Sequence, residues 1–270
     1  MLKVLAGQQW LASWQIWTIE RLFMAYETVW SRTQGVPIAA QRVERKRFYF
    51  ACKRLLDVLV AGSLLLVLLP IMALIALLIV LDTPGPAIFR QKRVGLQPRM
   101  VGGRRTFEVG TFTMFKFRTM YRGNDSEAHR RFVQAYIRND EEDMAEQQGG
   151  DAKVQKLVND ARVTRLGRFL RKTSLDELPQ FLNVLRGEMT LVGPRPPIPY
   201  EVDMYESWHH RRLWALPGIT GLWQVTGRSS VSFDEMVKMD LDYIEQQSLW
   251  LDLQILLKTP LAAVRGKGAM

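Results

Sequence analysis

Residues 174–180 (SLDELPQ) place two adjacent carboxylates, Asp176 and Glu177, in a strongly basic part of the chain. An ionised carboxylate in such surroundings can cap a helix, hold a metal ion or attack a substrate as a nucleophile. Asp176, with Glu177 beside it, is therefore a candidate for any of these three roles. The neighbouring cations are Arg165, Arg168, Arg171, Lys172 and Arg186.

The same stretch also has a purely structural interpretation. Ser174 and Glu177 have the spacing of a capping box, but that start would put Pro179 inside the helix, where it removes a hydrogen bond. A start with Asp176 near the N-cap fits better and predicts a helix that ends before Gly187. Both starts put Asp176 where the helix dipole favours an anion. This stretch alone therefore leaves capping and catalysis both open.

A second segment has the features of a phosphate-binding loop. Residues 189–192 (MTLV) predict a short strand that leads into Gly193-Pro194-Arg195-Pro196. Proline restricts its own backbone and that of the preceding residue, so Arg195 is presented from a stiff chain. A guanidinium with a fixed approach suits phosphate, and Pro194 and Arg195 enter the candidate substrate-binding set. The alternative is a proline-rich surface turn.

Three more cations are candidates for the same set. Residues 106–117 predict a strand, and the alternation around its end would present Lys116 and Arg118 to phosphates, or leave both as solvated cations. Arg228 follows Gly227 in the turn after residues 217–221 (PGITG) and is a further candidate phosphate contact.

The bulk composition narrows the class of protein. The 270-residue chain is 47% hydrophobic, enough for a core, and its net charge of +10 favours an acidic partner such as anionic lipid or a phosphorylated substrate. Its single cysteine excludes an internal disulfide and a cysteine-based zinc site, and the three histidines lack metal-ligand spacing. We find no nucleic-acid-binding motif.

Residues 58–81 carry no charge and would form a helix about 36 Å long, enough to cross a bilayer. Basic residues flank the run on both sides, and a single span cannot keep both flanks in the cytoplasm. We therefore predict a re-entrant helix-break-helix hairpin with Ser63 and Pro70 at the break. A kinked full span is the alternative.

The remaining segments complete an α+β prediction: a membrane-anchored, mainly helical protein with a small β element. Residues 1–46 are tryptophan-rich and predict an amphipathic helix, either interfacial or packed on the core. Residues 201–216 and 233–243 also predict helices, and residues 249–257 carry an apolar face. The predicted divisions are the extension 1–46, the membrane segment 47–82, the catalytic domain 83–265 with an acidic insert at 124–160, and the tail 266–270.

Four motifs follow the proline-interrupted apolar run in order: residues 116–120 (KFRTM), 174–180, 193–196 (GPRP) and 217–221. This arrangement resembles the bacterial sugar transferase family, the monotopic polyprenyl-phosphate phosphoglycosyl transferases, in their compact form. The resemblance covers roughly residues 47–265. The family usually carries Ser-Pro at the membrane break, whereas this chain has Leu69-Pro70.

The resemblance implies an enzyme that moves a sugar-1-phosphate from a UDP-sugar to undecaprenyl phosphate and releases UMP. It implies the cytoplasmic face of the bacterial inner membrane and the first membrane step of a polysaccharide or glycoconjugate pathway. By match, Asp176 would be the nucleophile and contact Mg²⁺, Glu177 would assist it, and Arg195 would hold phosphate or nucleotide. Anionic lipid is a further expected partner, and a homodimer is left open.

Two other functions stay open at this point. A basic membrane-surface protein without catalysis would use Asp176 only as a helix cap. A glycosyl transferase that moves the sugar without its phosphate would release UDP instead of UMP.

Overall fold

The computed structural model describes residues 37–101, 104–121, 127–148, 162–227 and 231–264. The four tryptophans of the N-terminal extension and Arg228 lie outside these ranges. The described residues form two compact units. The first contains residues 37–56, 97–101 and 104–108, and the second contains residues 57–96 together with the described residues from 109 onward. The candidate site lies within the second unit.

Helix α1 (Pro37–Asp82) is the longest element of the described chain. Its part from Phe48 to Asp82 is long and apolar enough to cross a membrane. The most apolar 18-residue stretch in it has a mean hydropathy of 3.3, and only 11% of that stretch is buried. Leu66 and Val67 are among its large exposed side chains. An apolar surface this exposed is costly in water and suits contact with lipid.

The predicted break in this helix is not confirmed. Helix α1 continues through both Ser63 and Pro70 without interruption. Proline removes one backbone donor, and a transmembrane-type helix tolerates that loss when neighbouring groups satisfy the freed carbonyl. The sequence signal at Pro70 is therefore compatible with a continuous helix.

Two polar anchors join the part of α1 that belongs to the second unit, from Asp57 onward, to the rest of that unit. The buried Asp57 carboxylate accepts hydrogen bonds from the Thr190 hydroxyl at 2.7 Å and the Leu191 amide at 2.9 Å. Near the other end, the Arg118 guanidinium donates to the carbonyls of Ile79, Thr83 and Pro84. Carbonyls at a helix C-terminus lack partners within the helix. Arg118 binds the Thr83 and Pro84 carbonyls just after the end of α1, and it shares the Ile79 carbonyl with the Thr83 amide.

The described strands form two small sheets. Strands β1 (Ile88–Val101) and β2 (Arg104–Phe117) pair with each other, and β2 contains the strand predicted at residues 106–117. Strands β3 (Thr190–Val192) and β4 (Gly218–Thr220) are parallel, with Thr190 opposite Gly218. The β3–β4 pair brings the ends of two of the sequence motifs together.

Short helices make up most of the rest. They are α2 (Glu127–Ile137), α3 (Glu141–Gln148), α4 (Arg165–Lys172), α5 (Gln180–Arg186), α6 (Pro199–Val202), α7 (Leu222–Thr226), α8 (Phe233–Gln246) and α9 (Leu249–Val264). The predicted helix at residues 201–216 is instead α6 followed by a 3₁₀ segment, His209–Trp214. The Glu206 amide donates to the His209 ring, and this side-chain bond replaces a helical one.

The acidic segment at residues 124–160 is helical where it is described, as α2 and α3. It also contributes to the core, because Val133 and Ile137 of α2 pack with Tyr205 and with Phe233 and Val237 of α8. The coarse fold prediction is confirmed: the chain is a mixed, mainly helical protein with small sheets and one long apolar helix compatible with membrane anchoring.

Candidate active site

The Asp-Glu stretch forms a tight turn between two helices. Helix α4 ends at Lys172, Ser174 adopts a left-handed φ of 57°, and residues Leu175–Glu177 form one 3₁₀ turn before Pro179 starts α5. The Ser174 side chain makes no capping hydrogen bond, so the capping box does not form. A left-handed conformation is uncommon for a residue with a side chain and costs free energy.

The second helix ends as the sequence predicted. Helix α5 stops at Arg186, and Gly187 takes a left-handed φ of 76°. Asp176, however, lies in the 3₁₀ turn rather than at the N-cap of α5, a position that Pro179 occupies. The helix-capping interpretation of Asp176 therefore loses its basis.

Asp176 is a buried carboxylate that has no hydrogen-bond or ion-pair partner in the part of the chain that the structure describes. Its side chain is 7% exposed, and within the described residues no hydrogen bond or ion pair reaches its oxygens. Burial raises the pKa of Asp176 to about 6; Lys116 opposes this rise and the adjacent Glu177 adds to it. Removing a carboxylate from water without a partner is unfavourable, so this group is poised to gain from a cation or an electrophile.

Glu177 is held in place by Lys116. The Lys116 ammonium on β2 donates to Glu177 Oε1 at 2.8 Å, and both side chains are partly exposed. The ion pair fixes the direction of the Glu177 carboxylate beside Asp176. It also places a positive charge next to the Asp-Glu pair.

Lys116 and Glu177 also line the pocket that we take as the candidate active site. Arg93 and Arg195 contribute its other charges, so cations outnumber the single carboxylate in the lining. Such a pocket attracts a polyanion. The remaining lining residues are Met114, Gln180, Pro196, Gly218, Ile219 and Gln224.

The segment that carries Arg195 is fixed by its backbone. It follows β3, and its Gly193 amide donates to Thr220 while the Pro194 carbonyl accepts from the Gly218 amide. A Cβ atom on Gly218 would collide with the Gly193 backbone, so glycine is required for this close approach. Pro194 thus takes part in the site through its main chain, as support for Arg195.

Two buried arginines hold the same segment. Arg93 Nη1 donates to the Pro196 carbonyl at 2.9 Å, and Arg212 Nη2 donates to the Arg195 carbonyl at 3.3 Å. Within the described residues no acceptor binds the Arg195 side chain, which leaves its guanidinium for a ligand.

The structure corrects the prediction for Arg118. Its guanidinium is buried against the C-terminal carbonyls of α1 and does not line the pocket. The alternation of residues 115–118 (FKFR) correctly indicates a strand, but it does not reveal that a helix end covers one cation. Arg118 is therefore a structural anchor, and Arg228 lies outside the described residues.

Sequence reasoning missed Arg93 and Gln224. Gln224 is the third residue of α7. Its Nε2 donates to the Ile219 carbonyl, and its buried Oε1 has no partner among the described residues. Arg93 lies beside Arg90 and Lys92 in the basic flank after the apolar run, and nothing local distinguishes it from those cations. The signal that could have found Gln224 is its place directly after the glycine-containing turn at residues 217–221.

The residues present fit a magnesium ion bound jointly with substrate. No group of three or more metal-ligating side chains occurs in the described part of the chain. Mg²⁺ in phosphoryl-transfer sites commonly takes one or two carboxylates and completes its shell with phosphates and water. The unpartnered Asp176 carboxylate, with Glu177 beside it, is such a donor set.

Comparison with known proteins agrees with these features. The model of the bacterial sugar transferase family matches residues 48–266. The chain is 39% identical over 226 residues to the galactosyl transferase CpsE of Streptococcus agalactiae, covering 83% of this chain and 44% of that protein. It is 37% identical to the exopolysaccharide production protein ExoY of Rhizobium meliloti, covering 80% of this chain and 87% of ExoY.

A third relative is the UDP-glucose:undecaprenyl-phosphate glucose-1-phosphate transferase of Caulobacter vibrioides. It is 42% identical over 215 residues, which are 77% of this chain and 67% of the relative. The chain spans less than half the length of several relatives, including CpsE. The family match extends from the apolar helix through the Asp-Glu turn to α9, and the chain belongs to the bacterial sugar transferase family.

Proposed function

We propose that this protein transfers a sugar-1-phosphate from a UDP-sugar to undecaprenyl phosphate and releases UMP. The observation that carries the proposal is the buried, unpartnered Asp176 carboxylate beside a cationic pocket. The name of the Caulobacter relative, a UDP-glucose:undecaprenyl-phosphate glucose-1-phosphate transferase, and the names of other relatives support the same reaction class. The product would be an undecaprenyl diphosphate sugar.

The reaction proceeds by two displacements at one phosphorus. Asp176 attacks the sugar-bearing phosphorus of the donor, the bond to the bridging oxygen breaks, and UMP leaves with that oxygen. The resulting acyl phosphate joins Asp176 to the phosphosugar. An oxygen of undecaprenyl phosphate then attacks the same phosphorus and releases the Asp176 carboxylate. Covalent catalysis of this kind divides one difficult step into two.

The surrounding residues position and neutralise charge, which is most of the work in phosphoryl transfer. Arg195 binds the donor phosphates from its stiff segment, and Lys116 holds Glu177 next to the nucleophile. Asp176 and Glu177 would hold Mg²⁺. When bound, the ion supplies charge neutralisation that lets a carboxylate approach a diphosphate and stabilises the departing UMP.

The membrane arrangement is also part of the proposal. The basic flanks of α1 favour a re-entrant segment that enters and leaves through the cytoplasmic face, which keeps the pocket at the level of lipid headgroups. The acceptor phosphate would meet Asp176 there while its polyprenyl chain stays in lipid. Reporters fused to both ends should both be cytoplasmic, and a periplasmic reporter at either end would refute the hairpin.

Nucleotide release tests the reaction directly. Purified protein in nanodiscs is given Mg²⁺, undecaprenyl phosphate and a panel of UDP-sugars, and UMP and UDP are quantified. UMP that depends on one donor and on the lipid establishes the reaction and identifies the sugar. UDP would instead indicate a glycosyl transferase. Folded protein that forms neither nucleotide would favour the non-catalytic membrane-binding alternative.

The covalent intermediate has its own test. Without the lipid acceptor, a donor labelled in the sugar should leave label on the protein, together with UMP in an amount comparable to the enzyme. Hydroxylamine should remove the label, because it cleaves acyl phosphates. Turnover with the lipid but no labelled protein in rapid-quench samples would favour direct transfer.

A further inference from the structure

Arg93 is a buried guanidinium whose hydrogen-bond acceptors are all neutral. Its side chain is 6% exposed, and its Nε and Nη2 donate to Gln91 Oε1 at 3.1 and 2.7 Å. Its Nη1 donates to the Pro196 carbonyl. Within the described chain no carboxylate forms an ion pair with Arg93. Buried charges in proteins are normally paired, so the missing counter-ion requires an explanation.

The surroundings of Arg93 make the absence of an anion more costly. Arg93 lines the candidate pocket together with Arg195 and Lys116. Burial lowers the pKa of Arg93 to about 10; Glu201 opposes this and the Arg195 charge adds to it. The group therefore stays protonated at neutral pH, inside a pocket whose cations repel one another.

We propose that Arg93 contacts the diphosphate of the nucleotide-sugar donor directly, beside Arg195. This inference rests on the proposed function. Each terminal nitrogen of a guanidinium carries two N–H groups, so donors beyond those used by Gln91 and Pro196 can reach phosphate oxygens. The donor diphosphate supplies the counter-ion that the described residues do not provide.

The competing role is purely one of positioning. Arg93 donates to the Pro196 carbonyl. In the positioning role, this hydrogen bond would fix the neighbouring Arg195, and Arg93 itself would not touch the donor. A double-mutant cycle separates the two roles. If Arg93 acts only through Arg195, its substitution has no further effect once the Arg195 side chain is removed.

The experiment measures UDP affinity by calorimetry on the full chain in detergent, in an Asp176→Asn background that prevents turnover. Arg93→Gln is compared with its parent, both with Arg195 present and with Arg195→Ala. Loss of a charge-assisted contact to phosphate predicts affinity about 10- to 100-fold weaker in both backgrounds. An effect that disappears in the Arg195→Ala background would overturn direct contact and leave a positioning role.

Two controls keep the result interpretable. Arg186→Gln removes an exposed arginine of the same unit, one that stacks on Phe115, and should leave UDP affinity unchanged. If Arg93→Gln fails to fold, Arg93→Lys keeps the charge but loses the planar fork, and UDP affinity should still fall severalfold in both backgrounds. Unchanged affinity in folded Arg93→Lys and Arg93→Gln proteins would overturn the proposal.

Failure of the underlying function would be recognised separately. Wild-type protein that releases UMP while Arg93→Gln binds UDP normally refutes only the role of Arg93. Wild-type protein that neither releases UMP from any UDP-sugar nor binds UDP refutes the proposed function, and the role of Arg93 with it.

Discussion

Two buried aspartates, Asp176 and Asp240, lie in opposite kinds of environment. Both are almost fully buried; burial disfavours the ionised form of each carboxyl, and at Asp240 the charge and hydrogen bond of Arg212 oppose that effect. Asp240 accepts a hydrogen bond from the buried Arg212 guanidinium at 2.5 Å, and Arg212 also donates to the Tyr205 hydroxyl. The carboxylate of Asp176 has no such partner within the described residues and lies beside the pocket cations.

The difference indicates what each carboxylate is for. The Arg212 and Asp240 charges form a closed pair, and the same Arg212 Nη2 that binds Asp240 also donates to the Arg195 carbonyl and so supports the binding segment. Asp176 carries the cost of desolvation without a compensating bond in the free protein. An uncompensated buried charge next to a cationic pocket is typical of a catalytic group, whereas a closed pair is typical of a structural one.

The sharpest test of this contrast is the loss of activity in Asp176→Asn. The amide keeps the shape of the side chain but cannot form the acyl phosphate, so turnover should fall by at least about 10³-fold. The measurement is UMP release in nanodiscs under saturating donor and lipid. The protein should stay folded and membrane-bound. Turnover within about tenfold of wild type would remove Asp176 from the nucleophile role.

The opposite result is expected for Asp240→Asn. It leaves the Arg212 guanidinium buried without its counter-ion, which should lower the free energy of unfolding by about 3–5 kcal/mol. Thermal or denaturant unfolding in detergent measures the effect. Replacing both partners, by Arg212→Met with Asp240→Leu, should recover much of the loss. A single variant as stable as wild type would show that the pair is not a structural element.

Lys116 lies between these extremes, because its ion pair is partly exposed and also borders the pocket. Lys116→Met should lower kcat/KM for the UDP-sugar by about 10- to 100-fold, since Glu177 loses its orienting partner and the pocket loses a cation. Its effect on unfolding should be below about 1 kcal/mol, as for other exposed pairs. Steady-state kinetics and unfolding of the same preparation compare the two quantities. A large loss of stability with normal kcat/KM would reverse this assignment.

The contrast also shows what the sequence could and could not reveal. Asp176, Glu177 and Arg195 stand out in the sequence because adjacent carboxylates and a proline-flanked arginine are unusual local patterns. The end of α5 at Gly187 is equally local. The hairpin at Pro70 is a different case: the charge pattern around α1 predicts it, and the helical backbone does not confirm it.

The residues that sequence reasoning misplaced depend on contacts distant in the chain. Arg93 is placed at the pocket by its hydrogen bond to the Pro196 carbonyl. Arg118 binds carbonyls at the end of α1 instead of lining the pocket. The Asp240 carboxylate looks like any acidic residue of an amphipathic helix until Arg212 is brought against it. No local spacing encodes these pairings, because tertiary packing alone decides which of several cations meets a carbonyl, a carboxylate or the pocket.

The smallest expected effect compares the stability of Asp176→Asn and wild type as a function of pH, without magnesium. Burial raises the folded-state pKa of Asp176 from 3.8 to about 6. Below pH 4 the group is protonated in both states, and the variant should have no advantage. As the pH rises from 3.8 through 6, the unfolded chain ionises first, and the folded wild type must then carry a desolvated charge that the unfolded chain carries at no cost.

The variant should therefore be more stable than wild type above pH 6, by on the order of 1–3 kcal/mol, while being inactive. Unfolding at pH 3 and pH 7.5, with EDTA present, measures the difference, with Asp240→Asn as the matched aspartate. At pH 7.5 the two substitutions should change stability in opposite directions, because one removes an unpaired charge and the other creates one. An Asp176→Asn advantage that is equal at both pH values would show that ionised Asp176 is no less stable in the folded chain than in the unfolded one, and would abolish the contrast between the two aspartates.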